Sequence, residues 1–263
     1  MGISAGGVTL FTIAQATAAT FDDLYVGQAF LCFVRAGSKR VVCPVNGEII
    51  AGQGDLLVFP PDCLVTLENR PMRDAGYLAD GAFFANDLVA EAFGNSRTAP
   101  HHPGIHVLTE EQIGGTAILA PLREALAPDA LPDPVLRHRL LEPLVWLRHY
   151  GINLAPPQSP SALSQVRALV ETDLTRSWRA ADVARHFGMS EASLRRRLSG
   201  AGPGFSKILQ NARLERGLAL LQTTGLPVTQ IALDCGFSTP SHFAESFRKR
   251  FGIPPKAIRS AAD

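Results

Sequence analysis

The 263-residue sequence predicts an α+β protein of two domains: a β-barrel with a helical hairpin, then an all-α unit made of two helix-turn-helix motifs. Three observations lead there. Short apolar runs broken by turns fill residues 24–67, a helical unit is used twice near 180–199 and 228–251, and the sign of the charge reverses at a proline-rich segment between these regions. The predicted divisions are 1–108 for the barrel, 109–152 for the hairpin, 153–160 for a linker and 161–263 for the helical unit.

The barrel rests on five apolar runs, Ala29 to Arg35, Arg40 to Val45, Glu48 to Ala51, Leu56 to Pro60 and Cys63 to Leu67. Asn46-Gly47 between two of them predicts a type I′ hairpin, because that turn needs positive φ at both central residues. Strands this short at this spacing suggest a barrel or a sandwich. From Thr109 the period changes to that of a helix. Thr109, with Gln112 at the capping-box position, predicts a helix to about Leu126. A second helix, Asp133 to Tyr150, puts Leu136, Leu140, Leu144 and Leu147 on one stripe and ends at Gly151. That stripe either packs on its own barrel or forms a dimerisation surface, since an exposed leucine face rarely stays uncovered.

Composition narrows the class of protein. With 46% apolar and 19% charged residues and no low-complexity tract, the chain can bury real cores, which excludes disordered, collagenous and coiled-coil readings. Four scattered cysteines without a C-x-x-C pair read as reduced thiols. The amino end lacks the basic start of a signal peptide, and no run reaches the roughly 18 apolar residues of a membrane helix, so a cytoplasmic protein without membrane contact is expected. Residues 1–158 carry ten basic and sixteen acidic side chains, net −6, whereas residues 159–263 carry fifteen and eight, net +7. A basic segment behind an acidic one suggests that only the second meets a polyanion, and double-stranded DNA is the expected partner.

The basic half shows how it would do so. Ala180 to Phe187 reads as a short helix, Gly188-Met189-Ser190 as a turn and Glu191 to Ser199 as a second helix with Leu194 and Leu198 inward. Val228 to Cys235, Gly236-Phe237-Ser238 and Thr239 to Phe251 repeat the pattern with Phe243 and Phe247 inward, one residue longer after the turn. Phe205 to Gln222 joins them as one helix of about 27 Å. Major grooves on one side of B-DNA recur about every 34 Å, so one chain could enter two of them. With the leucines inward, Ala192, Ser193, Arg195 and Arg196 face the groove, and the two arginines suit guanine O6 and N7. In the second motif Pro240, Ser241, Ala244 and Glu245 face out, flanked by His242, with Glu245 able to accept from cytosine N4, while Thr239, Arg248 and Lys249 read as phosphate anchors.

These segments resemble the AraC/XylS family of bacterial transcription regulators. The resemblance rests on Ala181-Asp182-Val183-Ala184, Gly188-Met189-Ser190, Leu194-Arg195-Arg196-Arg197-Leu198, Ile231-Ala232-Leu233-Asp234-Cys235-Gly236-Phe237-Ser238 and Phe243 to Pro255 with its closing Phe-Gly-Ile-Pro-Pro, and it covers about 161–261. It implies a promoter-binding regulator, an activator, acting in the bacterial cytoplasm as a homodimer with RNA polymerase as a partner. Ser199-Gly200-Ala201-Gly202-Pro203-Gly204 departs from the family pattern and predicts an early end to the first recognition helix.

The first half would then hold a small-molecule effector. Arg35, Lys39 and Arg40 surround one turn, and Arg70 and Arg73 follow the strand ending near Leu67, so together they would form a cationic pocket for an anionic nucleotide. The run Gly54 to Val65 resembles the second motif of cupin barrels, with Asp62 at the usual glycine and Val65 at the usual histidine position, so the cupin-like barrel is expected to carry no metal. Resemblance to the CuxR-like subgroup of AraC regulators implies cyclic di-GMP at an Arg-x-x-x-Arg-type motif. Arg35 fits it with Lys39 as second member or with Arg40 one residue late, and Thr66 and Asn69 would add contacts. The alternative is an apolar or sugar effector inside the barrel. No catalytic residues, metal ligands or cofactor are expected, because no nucleophile motif or phosphate-cradling loop is present, and a cupin-type enzyme is the remote alternative.

Overall fold

A computed structural model describes residues 2–73, 75–94, 104–114, 118–127, 131–154, 159–200 and 203–260. It divides into one unit of residues 1–157 with 259–263, and a second of residues 158–258.

The first unit opens with the strands β1 (Ile3–Ala5), β2 (Val8–Gln15), β3 (Ala19–Val26), β4 (Ala29–Ala36), β5 (Ser38–Cys43), β6 (Gly47–Ala51), β7 (Leu56–Phe59), β8 (Cys63–Arg70) and β9 (Tyr77–Phe84). Helix α1 (Asn86–Phe93), strand β10 (His106–Leu108) and helices α2 (Glu110–Ile113), α3 (Ala120–Ala125) and α4 (Asp133–His149) complete it. The expected barrel takes the form of two antiparallel sheets, ordered β1-β2-β9-β4-β7-β10 and β3-β8-β5-β6. Ile13, Phe30, Cys32, Val34, Leu57, Phe59 and Ala79 of the first meet Val41, Cys43, Ala51 and Val65 of the second in one apolar core. The other face of the six-stranded sheet is covered too. Val8, Leu10, Leu31, Phe33, Leu56, Val58 and Phe84 pack against Leu88, Phe93, Leu122, Leu140, Leu144 and Leu147 of the helices. Double burial explains why β4 and β7 are continuous apolar runs, where a strand with one wet face would alternate.

Three expectations change. The turn between β5 and β6 is not type I′: Gly47 alone has positive φ (73°), and Asn46 instead uses its side chain, its Oδ1 accepting from Ile105 N–H at 2.8 Å and Cys43 Sγ at 3.2 Å. The single helix expected from Thr109 to Leu126 is two short ones. Thr109 N–H does donate to Gln112 Oε1 (2.9 Å), but Gly114 turns left-handed at φ 59° and ends α2. The leucine stripe of α4 is not a dimerisation surface, because Leu140, Leu144 and Leu147 are fully buried in the unit's own core and Leu136 packs against it. Residues 155–158 of the expected linker lie outside the described residues.

The second unit contains α5 (Ala162–Glu171), α6 (Ala180–His186), α7 (Glu191–Ser199), α8 (Phe205–Thr223), α9 (Val228–Asp234), α10 (Pro240–Phe251) and a closing 3-10 turn, Pro255–Ile258. Val166, Val170, Val183, Ala184, Leu194, Leu198, Ile208, Leu209 and Ala212 form the core of its first half. In the second half Phe237, Phe243, Phe247 and Phe251 pack in series, ring edge against ring face or tilted, at centroid distances of 5.2, 5.5 and 4.7 Å. Gly217 lets α8 approach that series. A Cβ there would lie 2.6 Å from the Phe243 ring, which explains a glycine in mid-helix despite its cost of about 1 kcal/mol.

Candidate nucleic-acid interface

Both helix pairs turn by the same device. In the first, Met189 N–H donates to Ala184 C=O (2.9 Å) and Gly188 has φ 64°; in the second, Phe237 N–H donates to Ala232 C=O (3.0 Å) and Gly236 has φ 78°. Both are Schellman closures. The next helices are capped alike, Ser190 Oγ accepting from Ser193 N–H (3.1 Å) and Thr239 Oγ1 from His242 N–H (3.2 Å). The cap follows the glycine by two residues in the first motif and by three in the second. The extra residue of the second repeat is therefore Ser238, placed between turn and cap.

The apolar sides of α7 and α10 face inward through Leu194 and Leu198, and through Phe243, Ser246, Phe247 and Phe251. That leaves Ala192, Arg195 and Arg196 exposed on α7, with Ser193 half-buried because its Oγ shares the cap at 3.0 Å from Ser190 Oγ. On α10, Ser241, His242, Glu245, Arg248 and Lys249 are exposed, and Glu245, Arg248, Lys249 and Gly252 line one shallow hollow. Pro240 is half-buried at the first helical position, and Thr239 is exposed, with a side chain that serves the helix start. Arg197 is turned aside, its Nη2 donating to Gln165 Oε1 of α5 at 2.9 Å. α7 ends at Ser199. Residues 201–202 of the glycine-rich segment lie outside the described residues.

Helix α8, 19 residues and about 28 Å long, carries both motifs. Where they meet along it, Trp178, Phe205, Gln210, Arg213, Phe237 and His242 line a cleft of about 290 Å³. Arg213, Arg176, Trp178 and Glu215 escaped sequence reasoning. Arg213 donates from Nε to Leu174 C=O (2.9 Å) and from Nη2 to Arg176 C=O (3.0 Å), and the Arg176 guanidinium stacks on Trp178 at 4.1 Å. Glu215 faces Arg167 of α5 and Arg250 of α10. Burial pushes its carboxyl up to about 7 against the opposing pull of Arg167 and Arg250. The only sequence signal for it was a charge at a helix position otherwise flanked by buried Leu214 and Gly217.

Of the expected effector residues, Lys39, Arg40, Thr66, Asn69 and Arg70 lie on the neighbouring strands β5 and β8, Arg35 lies on β4 of the other sheet and Arg73 follows β8. Ser38 to Val42 of β5 pair with Arg70 to Thr66 of β8. Alternation then separates the side chains. Lys39 and Asn69 point into the core, 2% and 1% exposed, with Lys39 Nζ donating to Asn69 Oδ1 (2.5 Å) and lying 5.0 Å from the Tyr77 ring. Burial lowers the Lys39 ammonium from its ordinary range, and burial raises the neighbouring Cys32 thiol. Asn69 Nδ2 donates on to Gln15 Oε1 at 2.8 Å. Lys39 is therefore not the second, surface member of an Arg35-x-x-x-Lys39 motif. The arginines outside face acids: Arg35 with Asp80 (3.6 Å), Arg40 with Glu48 (2.6 Å) and Arg70 with Glu68 (2.8 Å). Thr66 Oγ1 donates to Asp22 Oδ1 (3.2 Å), and Arg73 is exposed. Among the described residues no group of three or more His, Cys, Asp or Glu could hold a metal ion, and no helix is long and apolar enough to cross a membrane.

Two helix-turn-helix motifs on one helix, following a sheet-rich unit, define the class: a two-unit protein with a bipartite helix-turn-helix module. Residues 183–261 match the family described as "Helix-turn-helix domain". The chain's relatives include the transcriptional regulator SirC of Salmonella typhimurium, 38% identical over 91 residues, which are 35% of this chain and 31% of SirC. The transcriptional activator CsvR of Escherichia coli is 36% identical over 92 residues, 35% of this chain and 34% of CsvR. The matches thus span about a third of these relatives. The fold as a whole is similar to that of ToxT from Vibrio cholerae, with a TM-score of 0.64 at 14% identity, covering 96% of this chain and 97% of ToxT. One such ToxT structure, with a TM-score of 0.62 at 15% identity over 94% of this chain and 92% of ToxT, is described as bound to an unsaturated fatty acid.

Proposed function

We propose that the chain is a transcription regulator that binds double-stranded DNA through α7 and α10 and is controlled by a small molecule held in the first unit. The observation that carries this is the pair of like-built motifs on α8, each presenting a polar helix face, in a segment of net charge +7. Arg195 and Arg196 read bases from the first helix, Ser241, His242 and Glu245 from the second, and Arg248 and Lys249 hold phosphates. Activation, the role CsvR is named for, supports an activator that acts with RNA polymerase. Pairing of two copies falls to a surface other than the Leu136–Leu147 stripe. Electrophoretic shifts on a random 30-base-pair duplex pool test the reading: enrichment of defined sequences, weakened about 10³-fold or more between 50 and 200 mM salt, is expected. Salt-insensitive or unselective binding sinks it.

For the effector, an apolar carboxylic acid is favoured over cyclic di-GMP. Arg35, Arg40 and Arg70 already face carboxylates that a nucleotide would have to displace, whereas Lys39 lies buried beside Asn69, Tyr77 and Cys32. The fatty acid described for ToxT is of this class. Thermal-shift measurements with an unsaturated fatty acid and with cyclic di-GMP decide between them, because a ligand of the folded state raises the midpoint by mass action. A rise with cyclic di-GMP alone, abolished by Arg35→Ala, would restore the nucleotide.

A further inference from the structure

We propose that Glu215 is the positioning residue that fixes the interval at which the two motifs read DNA. This rests on the DNA-binding reading above and deepens it. A helix that carries two motifs sets their separation along its axis, but not their rotation about it. Rotation needs a contact reaching from one motif's body to the other's, and Glu215 makes one from the middle of α8.

Its Oε2 accepts from Arg167 Nη2 of α5 at 2.5 Å, in the body of the first motif. Its Oε1 lies 3.9 Å from Arg250 Nη2, near the end of the second recognition helix. The three side chains are only 11%, 6% and 10% exposed, so little water screens them. Arg167 is held from the other side by Glu171 (2.9 Å), and the Arg250 guanidinium lies over the Phe251 ring at 5.3 Å. A buried ion pair adds little net stability but does specify one arrangement among several of similar energy. A second contact lies on the same helix. Gly236 of the second motif's turn sits so close to Leu174 C=O and Arg213 that a Cβ would come within 2.1 Å of that oxygen. The two bodies are thus braced at two points and not merely joined end to end.

The consequence is specific. The spacing of two half-sites follows from the geometry of the motifs that read them, while the bases recognised follow from the helix faces. Loosening Glu215 should relax the interval and leave the bases unchanged. The test uses the full chain and duplexes enriched from a random 30-base-pair pool by the wild type, then rebuilt with the interval between the two boxes changed by one base pair. The wild type is expected to lose about tenfold or more in affinity on that change. Glu215→Gln should enrich the same two boxes at several intervals, lose about threefold or less, and bind a single box like the wild type. Arg250→Gln leaves the Glu215–Arg167 pair in place and severs only the link to α10, so it should relax the interval in the same way even if Glu215→Gln folds poorly. As pH falls through about 7 the wild type should approach the Glu215→Gln behaviour, since the groups facing this carboxylate, Arg167 and Glu171 from α5 and Arg250 from α10, then meet a neutral acid. An unchanged interval penalty in both variants, or equal weakening at single and double boxes, overturns the proposal. If the wild type enriches no sequence at all, the DNA-binding reading itself fails, which is a separate result.

Discussion

Gly236 shows how a single hydrogen can decide whether a motif forms. Its φ of 78° and the 2.1 Å approach of a hypothetical Cβ to Leu174 C=O act together. Left-handed strain and overpacking against backbone predict that Gly236→Ala costs about 3 kcal/mol in urea unfolding, whereas Gly188→Ala, with open space around it, should cost only the strain. Lys39 makes a different prediction. Its folded-state proton affinity is lowered from the ordinary 10.5, so the unfolded chain binds the proton more tightly and unfolding takes one up in the window below 10.5. Stability of the wild type relative to Lys39→Met should therefore climb as the pH rises toward 10.5, and a flat difference would show that the ammonium is solvated in the folded state. The sequence disclosed Gly236 because a repeat aligned it with Gly188. It could not disclose Lys39, since Arg35, Lys39 and Arg40 look alike until strand alternation turns the middle one inward.

Elements were legible where their own periodicity sufficed. The leucines and phenylalanines inside α7 and α10 stand at helical spacing, and their opposite faces followed directly. Strands β2 and β9 went unread because their pairing, such as Val8 with Phe84 and Gln15 with Tyr77, joins residues 62 to 76 positions apart, and β3 because its partner β8 lies 37 to 50 positions away. The apolar stripe of α4 was visible, but what covers it was not. Leu144 at 0% exposure predicts a loss of about 3 kcal/mol for Leu144→Ala that does not vary with protein concentration; a concentration-dependent loss would restore the stripe as a contact between copies. On the reading faces, Arg195→Ala should relax base preference by about 1–3 kcal/mol at one position. Lys249→Ala should instead weaken all sequences alike and reduce the salt slope by about 1, as a phosphate contact does.

Across the whole molecule, charge is divided as the fold is. The unit that presents α7 and α10 lies in the segment of net charge +7, and the sheet-rich unit in the segment of −6. That division was readable by counting, whereas the closure of two sheets around Lys39, Asn69 and Gln15 was not, because it depends on which strands become neighbours. The outward faces of the two helices give a further consequence. Ser238 lies before the cap, so Leu194 and Leu198 follow Ser190 by four and eight residues just as Phe243 and Phe247 follow Thr239; the register is shared, and what differs is the side chains that face out, arginines on one helix, histidine and glutamate on the other. A duplex gripped by both helices consequently has a left end and a right end. On the DNA-binding reading, the second unit sits on such a duplex in one heading only.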